Sequence, residues 1–146
     1  MELILWRHAE AEDGSPDSAR KLTEHGREQA LRVAAWLRPR LPGNCEVLVS
    51  PAARAQQTAQ ALGVAFVMSP AVGTDAVADD VISAVGWPAS SQATLIVGHQ
   101  PTLGRVAALL LSGAAADWDI GKGALWWIRH SGGETRLFAA IDPELA

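Results

Sequence analysis

Three short runs, Leu3–Trp6, Val47–Val49 and Thr94–Val97, each end abruptly at a polar segment: Arg7-His8, Ser50–Arg54 and Gly98-His99. Apolar and β-branched runs this short suit strands buried on both faces and are too brief for helices. Stretches with helical periodicity lie between them. After Thr23, the apolar residues Ala30, Val33, Ala34 and Leu37 fall at i, i+3, i+4 and i+7, so Thr23 reads as an N-cap and the helix as ending near Pro39. Ser50 and Pro51 read as the N-cap and first residue of a helix over Ala52–Leu62, with Ala55, Thr58, Ala59 and Leu62 on one face. Asp75–Val85 reads as a third helix and Thr102 as the cap of a fourth running to about Leu111. Val64–Met68 is a further strand, and Leu125–Arg129 and Thr135–Ile141 form a hairpin about a Ser-Gly-Gly turn.

Strands alternating with helices and closed by a hairpin predict an α/β fold, a three-layer α/β/α sandwich with a mostly parallel sheet. The 146 residues fit one domain, 1–146. In such sheets ligands bind beyond the carboxyl ends of the strands, which is where the three polar segments are expected to meet.

Composition removes several alternatives. With 49% apolar and 19% charged residues the chain is not disordered. Its longest apolar run, Val106–Leu111, is far short of the roughly 20 residues of a membrane helix. The first residues do not read as a signal peptide, so a cytoplasmic location is expected. A net charge of −4 argues against nucleic acid or an anionic membrane as partner. Cys45 stands alone, which excludes an internal disulfide and a Cys-based zinc site.

The polar segments bring two guanidinium groups, Arg7 and Arg54, and two imidazoles, His8 and His99, to one sheet edge. Arginine grips a phosphate with two parallel hydrogen bonds. A neutral histidine attacks phosphorus through one ring nitrogen when a fixed acceptor holds the proton of the other. Guanidinium groups around the anion supply the electrostatic stabilisation that dominates phosphoryl transfer. The constellation therefore points to phosphoryl chemistry.

Four segments, in order, resemble the histidine phosphatase superfamily, the phosphoglycerate mutase-like fold. Leu3-Ile4-Leu5-Trp6-Arg7-His8-Ala9 is similar to its Arg-His-Gly signature. Leu22-Thr23-Glu24-His25-Gly26-Arg27-Glu28-Gln29-Ala30 is similar to its Leu-Thr-x-x-Gly-x-x-Gln-Ala helix. Ser50-Pro51-Ala52-Ala53-Arg54-Ala55-Gln56-Gln57-Thr58-Ala59 and Val97-Gly98-His99-Gln100-Pro101-Thr102-Leu103 are similar to its remaining two segments. The short chain and Asp17-Ser18-Ala19-Arg20-Lys21-Leu22-Thr23 resemble the SixA branch, phosphohistidine phosphatases that act on phosphorelay domains. The resemblance implies His8 as the residue phosphorylated in the intermediate, Arg7 and Arg54 on the phosphate, His99 as a second imidazole of the phosphate pocket, and Arg20 reaching in from the loop. It implies no metal and no organic cofactor. The implied partner is a protein carrying phosphohistidine, and a monomer is expected.

Two positions depart from the pattern. Ala9 replaces the usual Gly, and the proton-donating carboxyl of the phosphomonoesterase members has no clear equivalent; Asp75, Glu10 and Glu12 are weak candidates. An alkoxide leaving group needs such an acid, typically worth about 10²–10⁴ in rate, whereas the imidazole of a phosphohistidine leaves more readily. P–N substrates are thus favoured. The alternatives are a small-molecule phosphomonoesterase of the same superfamily and a catalytically weak module that binds a phosphorylated partner. A zinc site on His8 and His99 lacks a third ligand and faces repulsion from the arginines. Thr23 and Gly26 read as a cap and a close packing point, and His25 and His130 as ordinary surface or strand histidines.

Overall fold

The computed structural model describes residues 1–146. Six strands form one sheet: β1 (Glu2–Arg7), β2 (Glu46–Val49), β3 (Val67–Met68), β4 (Thr94–Gly98), β5 (Leu125–Ser131) and β6 (Glu134–Ile141), in the order β3-β2-β4-β1-β5-β6. The first four are mutually parallel, β5 runs antiparallel to β1, and β6 runs antiparallel to β5. Four helices cover it: α1 (Glu24–Leu37), α2 (Ala53–Gln60), α3 (Ala78–Ala84) and α4 (Thr102–Ser112).

Alternation along the buried strands divides the core in two. Ile4, Trp6, Val47, Val49, Leu95 and Val97 face α1 and α2, where Val33, Ala34, Leu37, Ala55 and Ala59 complete one cluster. Leu3, Leu5 and Ile96 face the other way and pack with Val81 of α3 and Leu103, Val106 and Ala107 of α4. The central strands β1 and β4 are buried on both faces because both faces carry helices, which is the three-layer sandwich expected from the sequence.

Several local readings need correction. The N-cap of α2 is Ala52, not Ser50, and Pro51 lies outside the helix; the Ser50 hydroxyl oxygen accepts from the Ala52 N–H at 3.2 Å and also meets a histidine described below. Thr102 does not cap α4, because its hydroxyl donates to the Ala76 carbonyl at 2.8 Å. The Asp75–Val85 helix starts only at Ala78. The Val64–Met68 strand is reduced to Val67–Met68, paired on one side only at the sheet edge. Thr23 does cap α1, its oxygen accepting from the Gly26 N–H at 2.9 Å.

The hairpin joining β5 to β6 turns at Gly132 and Gly133, with φ of 58° and 77°. Two successive left-handed residues there twist the strands in the native sense, and glycine adopts them without a Cβ penalty.

Candidate active site

Sheet register brings the site together before any side chain is considered. β1 and β4 are adjacent and parallel, with Arg7 opposite Gly98, so the next residues, His8 and His99, leave the same edge side by side. The His8 N–H donates to the Gly98 carbonyl at 3.0 Å, and the two rings lie 5.2 Å apart between centroids. β2 lies on the far side of β4, and the Ser50 N–H donates to Val97 at 3.0 Å, which puts Ser50 beside His99. Arg54 follows on the first turn of α2. Antiparallel β5 begins where β1 ends: the Arg7 N–H donates to Ala124 and the Gly123 N–H to the His8 carbonyl, each at 3.0 Å.

The backbone following His8 is held by the polar residues of the sequence motifs. Thr58 accepts from the Ala9 N–H at 3.0 Å, Gln29 from the Glu10 N–H at 2.9 Å, and Gln57 from the Leu22 N–H at 2.7 Å. Gly26 lies against the Glu10 carbonyl so closely that a Cβ would overlap it. Ala9 is fully buried and packs with Leu22 and Ala30, so its methyl group points into a small core and not into the cleft.

That cleft, of about 260 Å³, is lined by Arg7, His8, Asp17, Arg20, Arg54 and His99, with Ala11, Thr74, Gln100 and Lys122 completing it. All five residues singled out from the sequence are present. Two charged groups were not foreseen. Lys122 enters from the loop before β5. Asp17, in a single 3₁₀ turn (Asp17–Ala19), accepts from Arg20 Nη1 at 2.9 Å through one carboxylate oxygen and from Arg54 Nη2 at 3.1 Å through the other. Arg54 Nη1 also donates to the Asp17 carbonyl at 3.0 Å. Arg20 is further tied by Nε to the Glu12 carbonyl at 2.7 Å. The i, i+3 spacing of Asp17 and Arg20 was the only signal in the sequence for this clamp.

Protonation follows from the partners. His8 Nδ1 lies 2.7 Å from the Ala9 carbonyl. A carbonyl only accepts, so Nδ1 carries the proton and Nε2 keeps its lone pair. Burial is the main reason the His8 imidazole is pushed down to about 3, with His99, Arg54 and Arg7 acting in the same direction against the Ala9 hydrogen bond. His99 is pushed down to about 4, again chiefly by burial and then by Arg54. Both rings are neutral at physiological pH. Hydrogen bonds from Arg20 and then Arg54 hold the Asp17 carboxyl below its ordinary value, so it is ionised.

Arg7 Nε, Arg54 Nε and His99 Nδ1 are the buried side-chain polar atoms with no hydrogen-bond partner in the protein, and all three belong to residues lining this cleft. A buried donor without a partner costs about 1–3 kcal/mol. Three such atoms on residues that share one cationic hollow fit an oxyanion. The candidate acids lie elsewhere. Asp75 lines an adjoining hollow of about 320 Å³, the Glu10 carboxylate accepts from the Thr23 hydroxyl at 2.9 Å, and neither Glu10 nor Glu12 lines the cleft.

Comparison with known proteins gives the family. The family model for the histidine phosphatase superfamily (branch 1) matches residues 3–75. The chain belongs to the histidine phosphatase superfamily. Uncharacterized protein Rv1276c of Mycobacterium tuberculosis (strain ATCC 25618 / H37Rv) is 34% identical to this superfamily member over 118 residues, 76% of this chain and 73% of the relative. Phosphohistidine phosphatase SixA of Escherichia coli (strain K12) is 38% identical over 64 residues, 43% of this chain and 40% of that one. Among solved structures, the protein histidine phosphatase SixA complexed with tungstate superposes with a TM-score of 0.82 at 24% identity, covering 98% of this chain and 97% of the other. The SixA of Nakamurella multipartitia superposes at 0.81 with 25% identity, over 97% and 95%. The fold is that of SixA and the phosphoglycerate mutase-like proteins, and the chain is a phosphatase of this superfamily.

Proposed function

We propose that this phosphatase hydrolyses phosphohistidine on a protein, such as a phosphotransfer domain, in the cytoplasm and by way of a phosphorylated His8. The observation that carries the substrate reading is the state of the cleft's one carboxylate. Asp17 is ionised and clamped between two guanidinium groups, so it has no proton to give a leaving alkoxide. A phosphohistidine ring protonated on its other nitrogen leaves as neutral imidazole and needs no such donor. The likeness to proteins named as SixA phosphohistidine phosphatases points the same way.

In the proposed reaction His8 Nε2 attacks phosphorus in line. The P–N bond of the substrate breaks, and its electron pair goes to the departing imidazole. The Nδ1–H bond to the Ala9 carbonyl keeps the ring aimed and takes up positive charge as the phosphoimidazole forms. Arg7, Arg54 and His99 hold the equatorial oxygens, with Arg20 in support. Water then attacks phosphorus, the P–Nε2 bond breaks, and inorganic phosphate leaves. No step calls for a cofactor.

Initial rates on a phosphohistidine-bearing phosphotransfer domain, a phosphohistidine peptide and simple phosphomonoesters test the substrate. A preference for phosphohistidine of about 10²-fold or more in kcat/KM is expected, on the scale of what a missing acid costs an ester. A preference for the esters would make the protein a small-molecule phosphomonoesterase. Binding without turnover would make it a phospho-partner module. Either result overturns the proposal.

A further inference from the structure

We infer that Ser50 is a positioning residue that fixes the tautomer of His99, with its hydroxyl donating to Nε2 so that the ring proton sits on Nδ1 and faces the phosphate site. Ser50 is fully buried. Its oxygen accepts from the Ala52 N–H at 3.2 Å and lies 2.7 Å from His99 Nε2, and it has no other hydrogen-bond partner. A hydroxyl has one proton to donate. If His99 Nε2 were the donor, the Ser50 oxygen would accept twice and its own proton would have no acceptor, on a residue that is fully buried. If Ser50 donates, every hydrogen in the group is used: Ala52 N–H to Ser50, and Ser50 O–H to Nε2.

With Nε2 occupied as an acceptor, neutral His99 carries its proton on Nδ1, one of the three buried polar atoms left without a partner. All three orphans are then N–H donors on residues lining the same cleft, a uniform set for an oxyanion. The alternative tautomer would leave a lone pair, in place of a donor, on a residue that shares this cleft with Arg7 and Arg54. The two histidines are thus set for opposite tasks by different neighbours. A carbonyl takes the Nδ1 proton of His8 and leaves Nε2 free to attack, while a hydroxyl caps Nε2 of His99 and leaves Nδ1–H free to donate. This also explains why Ser50 does not cap α2: its oxygen is committed two residues earlier, to the turn and to His99.

The tautomer is a property of the free protein. Its effect on rate rests on the phosphoryl-transfer reading above, and the measurement keeps the two apart. The ring nitrogens of ¹⁵N-histidine-labelled protein report tautomers directly by long-range ¹H–¹⁵N correlation. In the wild type, His99 is expected to show a protonated Nδ1 and a bare Nε2, with the Nδ1 proton shifting downfield on titration with inorganic phosphate. Ser50→Ala should lose that pattern and lower kcat/KM roughly 10- to 100-fold, the loss of a hydrogen bond to a charged group. Ser50→Thr, which keeps the hydroxyl and has the adjoining hollow beside it, should restore both. A bare Nδ1 in the wild type overturns the inference, as does a Ser50→Ala protein that keeps Nδ1–H and full activity. Should Ser50→Ala not fold, the wild-type spectrum decides alone. A protein with the expected tautomer but no activity on phosphohistidine would overturn the substrate proposal and leave this one standing.

Discussion

Replacing Arg54 by methionine separates what the phosphate site does from what it costs. The Arg54 side chain is 6% exposed and its Nε has no partner, and an unpaired buried N–H is unfavourable by about 1–3 kcal/mol. Its ionic partner Asp17 is 58% exposed, so the pair contributes only about 0–1 kcal/mol, and the Nη1 bond to the Asp17 carbonyl contributes about 0.5–1.5 kcal/mol. Methionine has a similar reach, fills the same space without a donor and removes a like charge from beside Arg7. Arg54→Met is therefore expected to be as stable as the wild type or up to about 2 kcal/mol more so, raising Tm by up to about 8 °C. At the same time kcat/KM should fall by about 10²–10³, the usual loss for a group holding transition-state charge. Urea unfolding with and without inorganic phosphate reads both effects. Phosphate at ten times its Kd stabilises a binding protein by about 1.4 kcal/mol, and this increment should vanish in the variant. A variant destabilised by more than about 1 kcal/mol, or one that phosphate still stabilises fully, would refute the reasoning.

Two further outcomes follow from the same geometry. His8 and His99 lie at about 3 and 4 when folded, against an ordinary 6.5. The unfolded chain therefore takes up their protons first, so stability is full above about pH 6.5 and falls on acidification toward pH 4. The slope is at most about 1.4 kcal/mol per pH unit for each ring. Urea midpoints between pH 8 and 5 check this, and His99→Gln should flatten the slope. Gly26→Ala should destabilise by about 2–4 kcal/mol in the same assay, because its methyl group must displace the Glu10 backbone and the His8–Ala9 segment tied to it.

The parts of this molecule that were legible in the sequence are those set by periodicity and by strand ends. Leu3–Trp6 and Thr94–Val97 had to be buried strands, and Arg7, His8 and His99 followed them to one edge. Ala30, Val33, Ala34 and Leu37 marked α1. What was not legible depends on contacts distant in the chain. Ser50 and Thr102 are good N-caps by residue type, but Ser50 turns to His99 and Thr102 to Ala76, and no local rule weighs those partners. α3 starts late: Thr74, which lines the cleft, and Asp75, which lines the hollow adjoining it, lie in a turn before Ala78. Asp17 opened the Asp17–Thr23 segment with no role of its own. Its place between Arg20 and Arg54 joins positions 37 residues apart in the chain and exists only once α2 has docked. Lys122 reaches the cleft because β5 runs antiparallel to β1, a matter of topology alone.

The proposed chemistry turns on the fate of His8 Nε2. Brief incubation with a ³²P-labelled phosphohistidine donor, a rapid quench into alkali and peptide mapping would locate any phosphoryl group carried by the chain. Label that survives base, is lost in acid and maps to His8, and that is missing from His8→Ala, is the expected result. Full turnover by His8→Ala, or label on another residue such as a base-labile acyl phosphate on Asp17, would contradict the covalent route.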